Sequence, residues 1–158
     1  MRYNQGLRIL MALSMVWLMA AGVGVAIAAT VTVQAHQIQV KGKTMTALTD
    51  GQGMTLYYST QDGPRQAKCT GNCASYWPPL ILKSGAPNGP AAVSGNLGVF
   101  QGANGRQVTY KGHPLYTFAR DKKPGDATGE GVANHWHVAT PDLQAASAAG
   151  GNKPSGSW

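Results

Sequence analysis

The chain has 158 residues, with 13 Lys and Arg against 6 Asp and Glu, a formal charge of +7, and only 12% charged residues. The acidic residues form no obvious general-acid pair, and there is no GxSxG elbow, phosphate loop, HExxH or dinucleotide fingerprint. The basic residues are scattered and no nucleic-acid-binding motif is present, so neither an enzyme nor a nucleic-acid binder is expected.

Arg2 and Arg8 precede an uncharged apolar run from residue 9 to about residue 33. A basic start, an apolar middle and a small-residue end make a secretory signal peptide. Ala26-Ile27-Ala28 and the weaker Val33-Gln34-Ala35 compete as cleavage sites. The alternative for residues 1–35 is an uncleaved anchor, since about 20 apolar residues span a bilayer. Membrane contact is expected only through that segment, and no cysteine stands there to carry a lipid. Loss of Arg2 and Arg8 lowers the formal charge from +7 to +5. What remains suffices for one small domain.

Residues 36–48 are polar with β-branched positions and predict one or two strands. Asp50-Gly51-Gln52-Gly53 is turn chemistry, and residues 54–59 return as a Thr- and Tyr-rich strand, completing a hairpin. The cysteines lie in an irregular loop over 65–76, where a short helix near Ala74 is compatible with the composition. Trp77-Pro78-Pro79-Leu80-Ile81-Leu82 enters a short apolar strand, and its prolines suit a strand entry or an edge. Residues 83–95 read as a loop or linker between the two copies. A second copy follows, with strands over 97–101, 106–111 and 115–119, a long loop over 121–131 and a final strand over 135–140. Residues 142–158 read as a disordered tail. No segment after the signal sustains a helical apolar period, so the fold is expected to be mainly β, a small antiparallel domain of two pseudo-symmetric hairpin repeats behind an N-terminal signal helix. The two-repeat domain occupies residues 36–141, with repeats at about 43–82 and 97–141.

The repeat rests on a constant offset of 59 positions, which carries Gly53, Leu56, Tyr57, Asp62, Ala74 and Trp77 onto Gly112, Leu115, Tyr116, Asp121, Ala133 and Trp136. The tyrosines sit mid-strand, where a ring buries large area and its hydroxyl needs a partner. Asp62 and Asp121 follow strand ends and are expected to fix turns by accepting backbone N–H groups. The indoles open the last strand of each copy, where each can pack across a hairpin. These residues make a repeated core or, alternatively, paired aromatic pockets for a small ligand.

Cys69 and Cys73 are four apart, and in an exported chain a disulfide is the first reading. Thr128 and Val132 hold the corresponding places in the second copy. The alternatives are a redox-active dithiol or a copper site that adds His113, His135 and His137 to the two sulfurs. Asp126 and Glu130 share a glycine-rich loop and could hold a cation.

With these residues in view, the chain resembles the secreted repeat family of unknown function, predicted bacterial lipoproteins and exported proteins with a Tyr-x-aromatic-x-x-Asp pattern. The marks are Leu56-Tyr57 to Asp62, Cys69-x-Gly71-x-Cys73-Ala74, Trp77-Pro78-Pro79-Leu80 and Gly112-His113-Pro114-Leu115-Tyr116-Thr117-Phe118 with Asp121. Pro124-Gly125-Asp126, Gly129-Glu130-Gly131 and Trp136-His137-Val138 complete them. Ser59 departs from the pattern, standing where Phe118 supplies the aromatic in the second copy. The resemblance implies a location in the periplasm, cell envelope or outside the cell, and no defined activity. The expected role is that of a structural domain, or one that binds a small ligand or an envelope component, without cofactor. A copper-binding or electron-transfer accessory protein is the alternative.

Overall fold

The computed structural model describes residues 33–147. Most of the expected signal segment, and the end of the expected tail, lie outside the described residues. The domain limits extend past 36–141 at both ends. Val33 is fully buried and β1 (Gln34–Val40) begins directly after it, so the weaker cleavage site lies at a strand entry. At the other end Leu143 is buried in the core.

Each repeat opens with a three-segment meander. β1 pairs along its whole length with β2 (Lys43–Thr49) through a two-residue turn at Lys41 and Gly42, with φ of 49° and 80°. Two positive φ values give the turn whose twist matches that of the strands it joins. The Asp50 carboxylate then accepts the N–H groups of Gln52 and Met54, both at 2.9 Å, and the chain returns so that the Leu56 N–H donates to Leu48 O. The second repeat does the same with β4 (Leu97–Gly102), β5 (Gly105–Tyr110) and β6 (His113–Pro114). There the positive φ pair, Lys111 and Gly112, falls in the second turn, between β5 and β6. The mainly-β fold with two repeats is thereby observed.

The closing strand of each repeat crosses to the other. β3 (Tyr57–Ser59) pairs with β7 (Trp136–Val138) from the second copy, and the 76–80 segment of the first copy pairs with residues 115–119 of the second. The crossings match at the sequence offset. Thr60 N–H donates to His135 O at 2.9 Å, and Ala119 N–H to Tyr76 O at 2.9 Å; Ala139 N–H donates to Leu56 O at 2.8 Å, and Leu80 N–H to Leu115 O at 2.9 Å. Between them Tyr57 and Tyr116 exchange both backbone hydrogen bonds, at 2.8 and 3.0 Å. A residue bonded reciprocally to its own equivalent marks a pseudo-twofold axis.

Among the described residues two short α-helices interrupt the strands: α1 (Asn72–Tyr76) inside the cysteine loop and α2 (Ala91–Ser94) within residues 83–95. The latter corrects the linker reading, because Val93 is fully buried and pins that segment to the core. The core has two parts, and both draw on both repeats. Successive side chains of a strand point to opposite faces. Leu56, Tyr58 and Leu115 therefore enter one cluster, with Leu48, Val108 and Ala139, while Tyr57 and Tyr116 enter the other.

Candidate functional site

The second cluster gathers the repeat residues around the pseudo-twofold axis. Trp77 and Trp136 lie face to face, with ring centroids 3.8 Å apart and planes 5° from parallel. Phe118 stacks on Trp77 at 4.2 Å. Tyr57 meets Trp77 edge-on at 5.4 Å, and Tyr116 meets Trp136 edge-on at 5.0 Å. Both indoles are buried, as the strand positions led us to expect, but they stack on each other across the axis and not within separate hairpins.

The tyrosine hydroxyls find their partners across the same axis. Tyr57 Oη donates to Asp121 Oδ2 at 2.6 Å, and Tyr116 Oη donates to Asp62 Oδ2 at 2.8 Å. Each aspartate uses its other oxygen locally, as anticipated. Asp62 Oδ1 accepts the Lys68 N–H at 2.8 Å, and Asp121 Oδ1 accepts the Thr128 N–H at 3.0 Å and the Thr128 hydroxyl at 2.6 Å. A buried carboxylate needs several donors to offset its lost hydration. The turn role is therefore half of what these residues do; the other half is an inter-repeat clasp.

Burial governs the protonation behaviour of the clasp. Desolvation, reinforced by the neighbouring carboxylate, pushes the Tyr57 and Tyr116 phenols far above their ordinary range. Burial also raises the Asp62 carboxyl, against the opposing pull of the Lys68 N–H and the Tyr116 hydroxyl. Gly129 closes the cluster from above. Its N–H donates to Tyr57 Oη at 3.3 Å, and a Cβ there would come within 2.8 Å of the Trp77 ring and 2.9 Å of the Tyr57 ring. Only glycine lets the backbone pass so close.

A family model described as a secreted repeat of unknown function matches residues 39–81 and 98–140, more than half of the chain. The chain belongs to that family. No curated protein and no solved structure matches it. Each matched segment contains one tyrosine, one aspartate and one tryptophan of the clasp, so the secreted repeat carries half of a shared core. Membership makes this an exported protein whose activity the family leaves open.

Within this secreted-repeat protein Cys69 and Cys73 are joined in a disulfide, with Cα atoms 5.2 Å apart. The bridge fixes the loop that carries the Lys68 N–H to Asp62. In the second repeat Thr128 stands at the place of Cys69 and binds Asp121 directly, so a hydrogen-bonded loop does the work of the bridge. The residues of the copper alternative are differently engaged. Both sulfurs are spent on each other. His135 Nδ1 lies 2.8 Å from Ala133 O, and His137 Nδ1 lies 3.0 Å from Glu130 Oε1. His113 is buried, with Nε2 3.0 Å from Gln144 O and Nδ1 without a partner. No group of three or more His, Cys, Asp or Glu side chains is placed to share a metal ion among the described residues.

Asp126 and Glu130 likewise have separate partners. Asp126 binds Lys123 and the N–H groups of Lys122 and Lys123. Glu130 Oε2 accepts the Val138 N–H at 2.7 Å, which covers the outer edge of β7. The equivalent position in the first repeat is Pro79, which has no N–H to satisfy. Burial raises the Glu130 carboxyl, but His137, the Val138 N–H and Lys41 together outweigh it and leave it below its ordinary value. Sequence reasoning missed this role for Glu130. The one signal for it was the proline at the symmetric position.

Proposed function

We propose that this exported protein acts without catalysis, as a rigid structural and binding domain that meets an anionic component of the cell envelope through its basic surface. The N-terminal basic-then-apolar segment would deliver it to the periplasm or beyond. The observation that carries this reading is the division of charge. Of the six acidic residues, Asp62 and Asp121 are buried, and Asp126 and Glu130 are paired with Lys123 and His137. Lys41, Arg65, Lys68, Lys83, Arg120 and Lys122 are exposed. The family motif is consumed in holding the two repeats together, which leaves the surface for recognition. A net positive surface draws anionic partners over roughly a Debye length, about 8 Å at physiological salt.

Co-sedimentation with lipid vesicles tests this. The domain freed of the N-terminal apolar segment should bind phosphatidylglycerol vesicles at low salt, release as salt rises, and ignore phosphatidylcholine vesicles. Equal behaviour toward both lipids would contradict the proposal. So would stoichiometric copper with two free thiols in the purified protein, which would favour a copper-binding accessory role.

A further inference from the structure

We propose that the buried aromatic array is a redox relay. An electron lost from the Trp77–Trp136 stack to an external outer-sphere one-electron oxidant is replaced from Tyr57 or Tyr116, and the phenolic proton passes to Asp121 or Asp62.

The rings form one continuous chain from carboxylate to carboxylate. Its order is Asp121, Tyr57, Trp77, Trp136, Tyr116, Asp62, and successive ring centroids are 5.4, 3.8 and 5.0 Å apart. Aromatic pairs ordinarily prefer offset or edge-on contact over a sandwich, because facing quadrupoles repel. The near-parallel indoles at 3.8 Å depart from that preference, and facing π-systems at this separation share an electron vacancy between them. Phe118, stacked on the other face of Trp77, extends the apolar wall. His135 is tilted against Trp136, with ring centroids 5.8 Å apart, and is part-exposed, so the stack ends close to solvent.

The tyrosines are built for coupled loss of an electron and a proton. A phenol that loses an electron becomes a strong acid and must shed its proton at once. A tyrosine buried in an apolar core usually lacks a base to receive it. Here each Oη already donates to a carboxylate oxygen, at 2.6 and 2.8 Å, so the proton has only to move along an existing hydrogen bond. The step balances: the oxidant gains one electron, the tyrosine becomes a neutral radical, and the carboxylate becomes a carboxylic acid. The core gains no net charge from that transfer beyond the one the oxidant removed. If packing were the only demand, two carboxylates would be a costly choice, since apolar residues of like volume often stabilise as well as buried polar pairs or better.

The test uses the full chain carrying Tyr3→Phe and Tyr76→Phe, which removes a tyrosine outside the described residues and the exposed tyrosine of α1. Photogenerated tris(bipyridine)ruthenium(III) serves as oxidant, and freeze-trapped radicals are read by electron paramagnetic resonance. A neutral tyrosyl radical should form, several-fold more slowly in heavy water than in light water. Adding Tyr57→Phe with Tyr116→Phe should abolish it and leave an indole radical. Adding Asp62→Asn with Asp121→Asn should lower its yield several-fold, with near-ultraviolet circular dichroism reporting an intact core. The heavy-water comparison needs no core variant and stands even if those variants fold poorly. A radical confined to tryptophan, no radical on the core rings, a tyrosyl signal that survives the double Phe substitution, or a rate indifferent to heavy water would each overturn the proposal.

Discussion

Removing the hydroxyl of Tyr57 strands one oxygen of a buried carboxylate 64 residues away in the chain. Hydrogen bonds to charged groups contribute about 1.5–3 kcal/mol, so Tyr57→Phe and Tyr116→Phe should each lower stability by about that amount in chemical denaturation. The crossing makes a sharper expectation. Tyr57→Phe should couple with Asp121→Asn in a double-mutant cycle and add independently to Asp62→Asn, because only the first pair shares a hydrogen bond. Coupling of Tyr57 with Asp62 would mean the clasp closes within one repeat. Asp62 also sets a pH dependence. Its carboxyl is raised in the fold, so the folded state holds the proton more tightly than the unfolded chain. The contribution is complete below the ordinary Asp range and is lost as pH rises through the raised value. In urea titrations across that window the stability advantage of the parent protein over Asp62→Asn should shrink as pH rises, while Glu130, whose carboxyl is lowered, acts alike in both. The chain's own spacing made Tyr57, Asp62 and Trp77 legible as equivalents of Tyr116, Asp121 and Trp136. It could not say which copy each one touches, since closure within a repeat and closure between repeats use the same residues.

Among elements, the cysteine loop and its counterpart show one task done by two chemistries. The Cys69–Cys73 bridge closes a very short loop, for which chain entropy predicts only about 2 kcal/mol. Cys69→Ala with Cys73→Ala should therefore weaken the protein by about that much without unfolding it, as read by thermal denaturation. Thr128→Ala should be the comparable lesion in the second repeat, since it removes the hydroxyl that Asp121 accepts. A far larger loss on removing the bridge would show that the loop nucleates the fold. Some elements were readable for stated reasons: Asp50-Gly51-Gln52-Gly53 is ordinary turn composition, and it does turn β2 back. The Lys41-Gly42 turn was not, because Lys is an unusual opener for a positive-φ pair and left residues 36–48 looking like one strand or two. Val93 was hidden for a similar reason. A single valine in a Pro- and Gly-rich stretch has no period to betray a buried anchor, yet it packs the segment between the repeats against the core.

For the whole molecule, strand exchange means that neither repeat owns a complete core. β3 lacks its partner without β7, and residues 115–119 lack theirs without residues 76–80. Small sheets are marginal alone in water, and without the other copy the first repeat keeps only β1–β2 and the second only the β4–β5–β6 meander, each with half of its core missing. Unfolding should accordingly be a single transition for both halves. The most direct test is the amide proton dispersion of residues 33–95 and 96–147, measured by NMR for each fragment alone and for the equimolar mixture. The interlocked architecture predicts collapsed, disordered spectra from either fragment alone and the dispersed spectrum of the intact domain on mixing. A dispersed spectrum from one fragment by itself would show that a repeat closes on its own, and would contradict the crossing of strands on which the rest depends.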